Sequence, residues 1–445
     1  MSEPKHVVVV VGGAVAGAEA ASVFAERGAK VVVVEQNRRP YGKIEDGLPR
    51  WHEKLRHKEY DQIDKNLTGP GVRFVPNTRL GDDVQIRELL DGQVSAIVLA
   101  HGAWRDRPLP IEGAEAFVGK GLVYQNPFVF WFNHYEEPGY EGPRFEVLDN
   151  AVVVGGGLAS IDVAKIINFE LYRSALRDRG HSVGVLELEH KGIPKVVEGL
   201  GLQLDELGIA GSTIFYRRRK QDMPLATADN PTPEMLEKLQ RSRVKLMDVV
   251  ARKYRVRLQE LARPVASISE DDQLVGLRFR RTRIEDRRVK DEEGSDFEVR
   301  SDLIVSSIGS IPMPVRGIPM KGELYEWSDW DKGRLEGYER VFGLGNVLTG
   351  KGNIKASRKN AQYVSEFVAS GFLGVGGADA DEQAAAISAS ARAAAEELAD
   401  SMGELEETPA EARQEIDRWV DGRWSAVGYS GDYRAWVGRS SESED

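Results

Sequence analysis

The chain has 445 residues, 41% of them hydrophobic and 29% charged, which at about 150 residues per domain suits a soluble protein of two or three folding units. Its 60 Lys and Arg stand against 71 Asp and Glu, and this net charge of −11 argues against general nucleic-acid binding or a basic membrane surface. The absence of cysteine excludes disulfides, thiolate zinc, cysteine-ligated iron–sulfur clusters and cysteine nucleophiles, so any redox chemistry belongs to a bound organic cofactor.

In chain order, His6 to Val11 reads as a buried parallel strand, Ala18 to Glu26 as an alanine-rich helix and Lys30 to Val34 as a second strand, together a βαβ unit. Ser95 to Ala100 is a further apolar strand closed by His101 and Gly102. The pattern restarts after Asp149 with a strand from Ala151 to Val154, a glycine cluster, a helix from Ala159 to Leu171 and a strand from Thr213 to Tyr216. Leu274 to Arg281 and Leu303 to Ile308 are strand-like. Val341 to Leu344 leads into a glycine-rich loop and an expected helix from Ser357 to Ala369. Residues 379–400 form an Ala/Glu-rich helix, a second helix carries Ile416, Trp419 and Val420, and a polar tail follows.

This echo predicts an α/β protein of two Rossmann-like dinucleotide-binding domains with a helical C-terminal extension. Residues 1–110 and 326–377 make one discontinuous domain, 111–325 the inserted second domain and 378–445 the extension. No apolar run approaches the roughly 20 residues that span a bilayer. No signal-peptide pattern precedes Val7, so the expected address is the cytoplasm. The seven histidines include no helical i, i+4 pair, and no metal site is expected. Charge is uneven: residues 214–290 hold 20 Lys and Arg against 11 Asp and Glu, whereas residues 376–445 hold 6 against 17.

The first glycine loop runs Gly12-Gly13-Ala14-Val15-Ala16-Gly17. In the dinucleotide fingerprint the first glycine makes the turn, the second admits the pyrophosphate and the third lets helix and strand pack closely. Ala14 fills the middle position, where its methyl group is expected to push the phosphates slightly outward or to shift the loop. Glu35 ends the second strand, where a carboxylate accepts from an adenosine ribose. The second loop is Gly155-Gly156-Gly157-Leu158-Ala159-Ser160, with Ser160 in place of the third glycine and Asp162 in the first helical turn. Its next strand ends in Arg217 and Arg218, planar cations suited to a 2′-phosphate. The contrast assigns an FAD-like adenosine to the first loop and NADP(H) to the second. Between the second helix and the strand at Thr213 lies an insertion of about 40 residues.

With these motifs, the chain from Lys5 to Val368 resembles the adrenodoxin reductase type of FAD-dependent NADPH:ferredoxin reductase and the related glutamate synthase small subunit. Pro40-Tyr41-Gly42 is similar to that family's Pro-x-Gly beside the flavin, and Leu99 to Ala103, including Gly102, to its first domain crossover. The stretch from Gly155 to Asp162 and the run of Tyr216 and its arginines with Met223-Pro224 are similar too. So is the closing loop Gly345-Asn346-Val347-Leu348-Thr349-Gly350-Lys351-Gly352-Asn353-Ile354. The resemblance implies FAD and NADP(H) as cofactors and a ferredoxin-like redox partner, with no nucleic acid and no membrane span. By the same resemblance the cofactors are held by Gly12, Ala14, Gly17, Glu35, Gly42, Gly102, Gly155, Gly157, Leu158, Ala159, Arg217, Arg218, Gly345, Asn346, Gly352, Asn353 and Ile354. His52 and Asp162 are its candidates for proton traffic; the residues alone leave them as a surface histidine and a helix-start carboxylate. Reduction of a small molecule such as a quinone, or a non-catalytic flavoprotein subunit, stays open. The basic segment is expected to steer an acidic partner, with the acidic C-terminal region either lying across it or acting as a separate solubilising tail.

Overall fold

The computed structural model describes residues 4–225, 232–330, 332–348, 380–402 and 405–439. Gly352, Asn353, Ile354, the expected helix from Ser357 to Ala369 and the polar tail beyond Arg439 lie outside the described residues. The first half of the chain runs β1 (Val7–Val11), α1 (Val15–Glu26), β2 (Lys30–Val34), α2 (Lys43–Asp46), α3 (Glu53–Leu67), β3 (Val72–Val75), α4 (Ile86–Asp91), β4 (Ala96–Leu99) and β5 (Arg105–Asp106). Then follow β6 (Leu122–Tyr124), α5 (Gln125–His134), β7 (Val152–Gly155), α6 (Leu158–Arg177), α7 (Val185–Lys191), α8 (Ile193–Gly199), β8 (Thr213–Phe215), α9 (Pro233–Tyr254) and β9 (Arg257–Gln259). A β-rich stretch adds β10 (Ala262–Glu270), β11 (Gln273–Glu285), β12 (Arg288–Asp291), β13 (Phe297–Arg300), β14 (Ile304–Ser307) and β15 (Ser310–Ile311). The chain continues through β16 (Met320–Lys321), β17 (Leu324–Tyr325), β18 (Trp327–Asp329), β19 (Arg334–Leu335) and β20 (Val341–Gly343). It ends in α10 (Ala380–Ser401), α11 (Ala410–Val427) and α12 (Tyr433–Val437).

Two sheets organise these elements. One has the order β18-β19-β20-β4-β1-β2-β3, parallel from β20 to β3; the other is β6-β14-β7-β8-β9, parallel throughout. In both, the first strand of the glycine unit (β1 or β7) lies between its βαβ partner and a strand that arrives later, β4 or β14. That arrangement opens a crevice at the strands' carboxyl ends, the place where doubly wound sheets bind ligands. The two-Rossmann α/β class therefore holds, and the antiparallel pair β5–β15 carries the two crossovers between the sheets. The helices are longer than expected. α1 starts at Val15 rather than Ala18, because the glycine turn delivers the chain straight into helical geometry, and α6 runs to Arg177 because its apolar face continues under the insertion.

A parallel sheet covered on both faces demands continuous apolar strands, and β1 divides its valines accordingly. Val8 and Val10 face α1, α3 and α10, whereas Val7, Val9 and Val11 face the β16–β18 side and α11. The C-terminal helices are therefore integral to the first sheet's cores, with Ala395, Leu398, Ala399 and Met402 on one face and Ile416 and Val420 on the other. Their acidic residues follow them. Asp417 pairs with Lys30 and Arg73, Asp421 with Arg73, Asp400 with Arg27 and Glu407 with Lys5. Among the described residues these helices pack on the first sheet, and these four carboxylates pair there rather than with the basic segment. The insertion between α6 and β8 folds into α7 and α8, whose Val185, Leu188, Ile193, Val196 and Val197 join the core of the second sheet.

Beneath α10, Glu59 of α3 is fully buried, and among the described residues neither carboxylate oxygen has a hydrogen-bond partner. Burial, with the charge of Glu19 second, raises its carboxyl to about 8. The folded state thus keeps a proton that the unfolded chain sheds near pH 4.5, so the Glu59 contribution to stability falls as pH rises from about 4.5 to about 8 and is level beyond. Glu59→Gln is expected to be increasingly stabilising relative to the parent across that window, with a difference approaching about 1.4 kcal/mol per pH unit. Denaturant unfolding of both proteins at pH 5, 6.5 and 8 checks it; a constant difference would refute it.

Candidate dinucleotide sites

At the first crevice three close approaches fix the backbone. A β-carbon on Gly17 would lie 1.8 Å from the Gly12 carbonyl oxygen, and one on Gly12, where φ is +100°, would lie 2.7 Å from His101 Cα. One on Gly345 would lie 3.0 Å from the Ala16 methyl, so the end of β20 returns to the first turn of α1. Ala14 is the N-cap of α1 and supplies no side-chain hydrogen bond. The first-turn N–H groups are left to an anion.

The Ala14 methyl lies against the loop that ends at Gly42. A β-carbon on Gly42 would sit 2.9 Å from that methyl, so the facing loop needs glycine there. Glu35 is buried and accepts from Gly13 N–H at 2.8 Å and Asn37 N–H at 2.9 Å. Burial still raises its carboxyl to about 7. Gly102, with φ +75°, lies beside Trp104, and Asn346 is exposed in a short 3-10 turn from Gly345 to Leu348. Gly12, Ala14, Gly17, Glu35, Gly42, Gly102, Gly345 and Asn346 thus gather at one sheet edge.

The second crevice repeats the plan with different packing. A β-carbon on Gly155 would lie 2.3 Å from the Ser307 carbonyl oxygen, and Gly156 is covered by the Tyr216 ring. Gly157, the uncapped N-cap of α6, has open space where a β-carbon would stand, while Leu158 behind it is buried in the core and Ala159 is half-buried. Ser160 donates to the Ser307 carbonyl at 3.0 Å, so its hydroxyl ties α6 to β14 where a glycine would only pack. Arg217 is exposed just past β8, and Arg218 is half-buried with Nη1 donating to the Arg287 carbonyl at 3.2 Å. Both arginines therefore stand beyond the strand next to the glycine turn, while Arg219 is held by Asp222 at 2.7 Å.

His52 and Asp162 are brought to one cluster, and neither is superficial. His52 Nε2 accepts from Trp51 Nε1 at 2.9 Å, and burial, with the Lys165 charge second, pushes the imidazole down to about 3. Asp162 is 6% exposed and its Oδ1 has no hydrogen-bond partner among the described residues. Burial raises it to about 7 despite the Lys165 ammonium.

The residue linking them was not anticipated. Lys165 is fully buried, pairs with Glu189 of α7 at 2.9 Å and lies 4.4 Å from the ring centres of both Trp51 and Tyr254. Tyr254 in turn donates to Glu189 at 2.9 Å. A lysine three residues after Asp162 in an apolar helix was the available signal; nothing in the sequence pointed to Glu189, which arrives on the insertion.

Lys43, next to Gly42, was also missed. Its ammonium donates to Asn126 at 3.2 Å and to Ser310 at 3.1 Å across the crossover strands, and burial lowers it to about 8. Among the described residues no group of three or more His, Cys, Asp or Glu is arranged to hold a metal ion, and no helix is long and apolar enough to cross a membrane.

Several charges of the basic segment are taken up within the same unit. Arg241 pairs with Glu237, Arg280 with Asp296 and Glu293, and Arg283 with Glu285, while Arg281 lies over the Phe297 ring.

Comparison with known proteins agrees with this geometry. The chain is 29% identical over 167 residues, 37% of its length, to the mitochondrial NADPH:adrenodoxin oxidoreductase of Arabidopsis thaliana. It is 30% identical over 181 residues, 40% of its length, to the glutamate synthase (NADPH) small chain of Bacillus subtilis. Each match spans 34% of the relative's own length. Mycobacterium tuberculosis FprA, solved in complex with NADPH, superposes with a TM-score of 0.62 at 18% identity, covering 95% of this chain and 91% of that one, which establishes a shared fold. The family model for pyridine nucleotide-disulphide oxidoreductases matches residues 6–201, a stretch that holds both glycine turns, Glu35, His52, Asp162 and Lys165. Over that stretch the chain is similar to the pyridine nucleotide-disulphide oxidoreductases.

Proposed function

We propose that the protein is an FAD-containing, NADPH-dependent oxidoreductase whose electrons pass to a ferredoxin-like acceptor. The observation that carries the reading is the pair of uncapped glycine turns at two sheet crevices, one flanked by Glu35 and the other by Arg217 and Arg218. In this reading residues 1–110 and 326–377 hold the flavin, 111–325 hold NADPH and 378–445 buttress the first unit. The donor set fits: helix N-termini for two pyrophosphates, a carboxylate with acceptor capacity left for a ribose, and arginines for a 2′-phosphate. FAD, when bound, takes a hydride from NADPH and gives up electrons one at a time.

The chain's own residues bind, align and handle protons. Gly157, Leu158 and Ala159 leave the second turn open for the NADPH diphosphate, and Gly12, Gly17 and Gly345 hold the first turn in shape. Hydride transfer depends on alignment and exclusion of water more than on an acid or base. The proton that must accompany reduction is assigned to Asp162, whose carboxyl lies near neutrality and is buried beside the Lys165–Glu189 pair. His52, held neutral, is its neighbour across Lys165. The pairing of Arg241, Arg280 and Arg283 with carboxylates reduces the basic face and keeps open a second reading, in which a small uncharged molecule such as a quinone is the acceptor.

Three measurements test these readings. The flavin released on denaturation is expected to be FAD; FMN alone, or no flavin after reconstitution, would sink the proposal. Arg217→Ala/Arg218→Ala is expected to lower the preference for NADPH over NADH by about 100-fold or more, because charge-assisted bonds to phosphate contribute roughly 1.5–3 kcal/mol each. Unchanged selectivity would place phosphate recognition elsewhere. Ferredoxin reduction is expected to weaken steeply between low and high salt, exposed charges being screened beyond about 8 Å at physiological ionic strength. A flat profile combined with fast quinone reduction would select the second reading.

A further inference from the structure

The first crevice is bounded by the loop from Gln36 to Gly42, which carries Glu35 at its start and meets Ala14 at its end. This loop touches the glycine turn directly: Gly13 N–H donates to Glu35, and a β-carbon on Gly13 would lie 2.9 Å from the Pro40 side chain. Its outer side is gripped by the end of the chain. Trp436 Nε1 donates to the Arg38 carbonyl at 2.9 Å, Arg38 donates back to the Trp436 carbonyl at 3.2 Å, and the Arg38 guanidinium lies 5.3 Å from the Trp436 ring centre.

A single carboxylate on α3 joins the pieces. Asp64 Oδ1 accepts from Tyr41 at 2.8 Å and from Tyr433 at 2.7 Å, and Oδ2 accepts from Arg439 at 2.9 Å. Arg439 also lies over the Tyr41 and Tyr60 rings, and Tyr433 meets Phe74 edge-on at 5.2 Å. Tyr41 is fully buried by this arrangement.

We propose that Tyr433, Trp436 and Arg439, acting through Asp64 and Tyr41, are positioning residues of the first dinucleotide site: they hold the Gln36–Gly42 loop on the glycine turn and so set how tightly the adenosine half of the cofactor is kept. The inference rests on the reading of that site as an FAD site. Removing the clasp frees the loop, and with it Glu35 and Gly42, while the second crevice is untouched.

The test uses full-length Trp436→Ala/Arg439→Ala and Tyr433→Phe, with Arg439→Lys as the conservative control. In the apoproteins, hydrogen exchange at Gly13 and Asn37 is expected to accelerate at least tenfold in the first two and to stay near the parent rate in the control. FAD dissociation constants, read by flavin fluorescence, are expected to rise at least tenfold in the same order, with NADPH affinity unchanged. Exchange and FAD affinity both at parental values would overturn the proposal, as would equal loss of NADPH affinity, which signals general unfolding. If the parent itself binds no FAD, the site reading fails, and the exchange rates still decide whether the clasp positions the loop.

Discussion

The absence of room at Gly17 is the constraint on which the first half of the molecule depends. With a β-carbon 1.8 Å from the Gly12 carbonyl oxygen excluded, α1 can lie close against β1 and begin directly at the turn. The N-terminal N–H groups then point along the crevice between β1 and β4. Everything assembled there meets that turn: His101 and Gly102 from β4, Gly345 from β20, Glu35 from β2 and Gly42 from the following loop. The second sheet solves the same problem differently. Ser160 occupies the corresponding position because its hydroxyl is taken up by the Ser307 carbonyl, turning a steric liability into a link between α6 and β14.

This explains which parts of the architecture were legible in sequence. Valine runs buried on both faces and glycines at fixed offsets are local signals, and they located both βαβ units and their turns. Most strand ends differ by one residue, as hydrogen-bonded boundaries do, whereas β11 runs four residues past the expected Arg281 because it pairs with β12 there. What the Ala14 methyl packs against is not legible in the local pattern, because its neighbour in space, Gly42, lies 28 residues away. The pair becomes apparent only when the loop is folded back.

Charge was the least legible property. The count over residues 214–290 suggests a basic docking face, yet the pairing of β11 with β13 sets Arg278 opposite Glu298, that with β12 sets Glu285 opposite Arg288, and the turn before β13 brings Asp296 to Arg280. A linear count records composition; cross-strand register decides what solvent sees. The acidic C-terminal helices show the converse. Their apolar faces belong to the two cores of the first sheet, so their carboxylates are delivered to Lys30, Arg73 and Arg27 by packing.

The insertion before β8 carries the same lesson into the chemistry. A fully buried ammonium such as Lys165 faces a desolvation penalty of several kcal/mol, which a single ion pair need not offset. Here the compensation is distributed: Glu189 from α7, the Trp51 ring from the segment before α3 and the Tyr254 ring from the end of α9. These partners come from three separate stretches of chain, so Lys165 is stable only when the insertion and the first-sheet segment are both docked on α6. The same ammonium depresses His52 and opposes the rise of Asp162. Burial dominates both shifts, so the packing of the insertion and of the segment before α3 on α6 sets these protonation states, and the insertion supplies the counter-charge of Lys165.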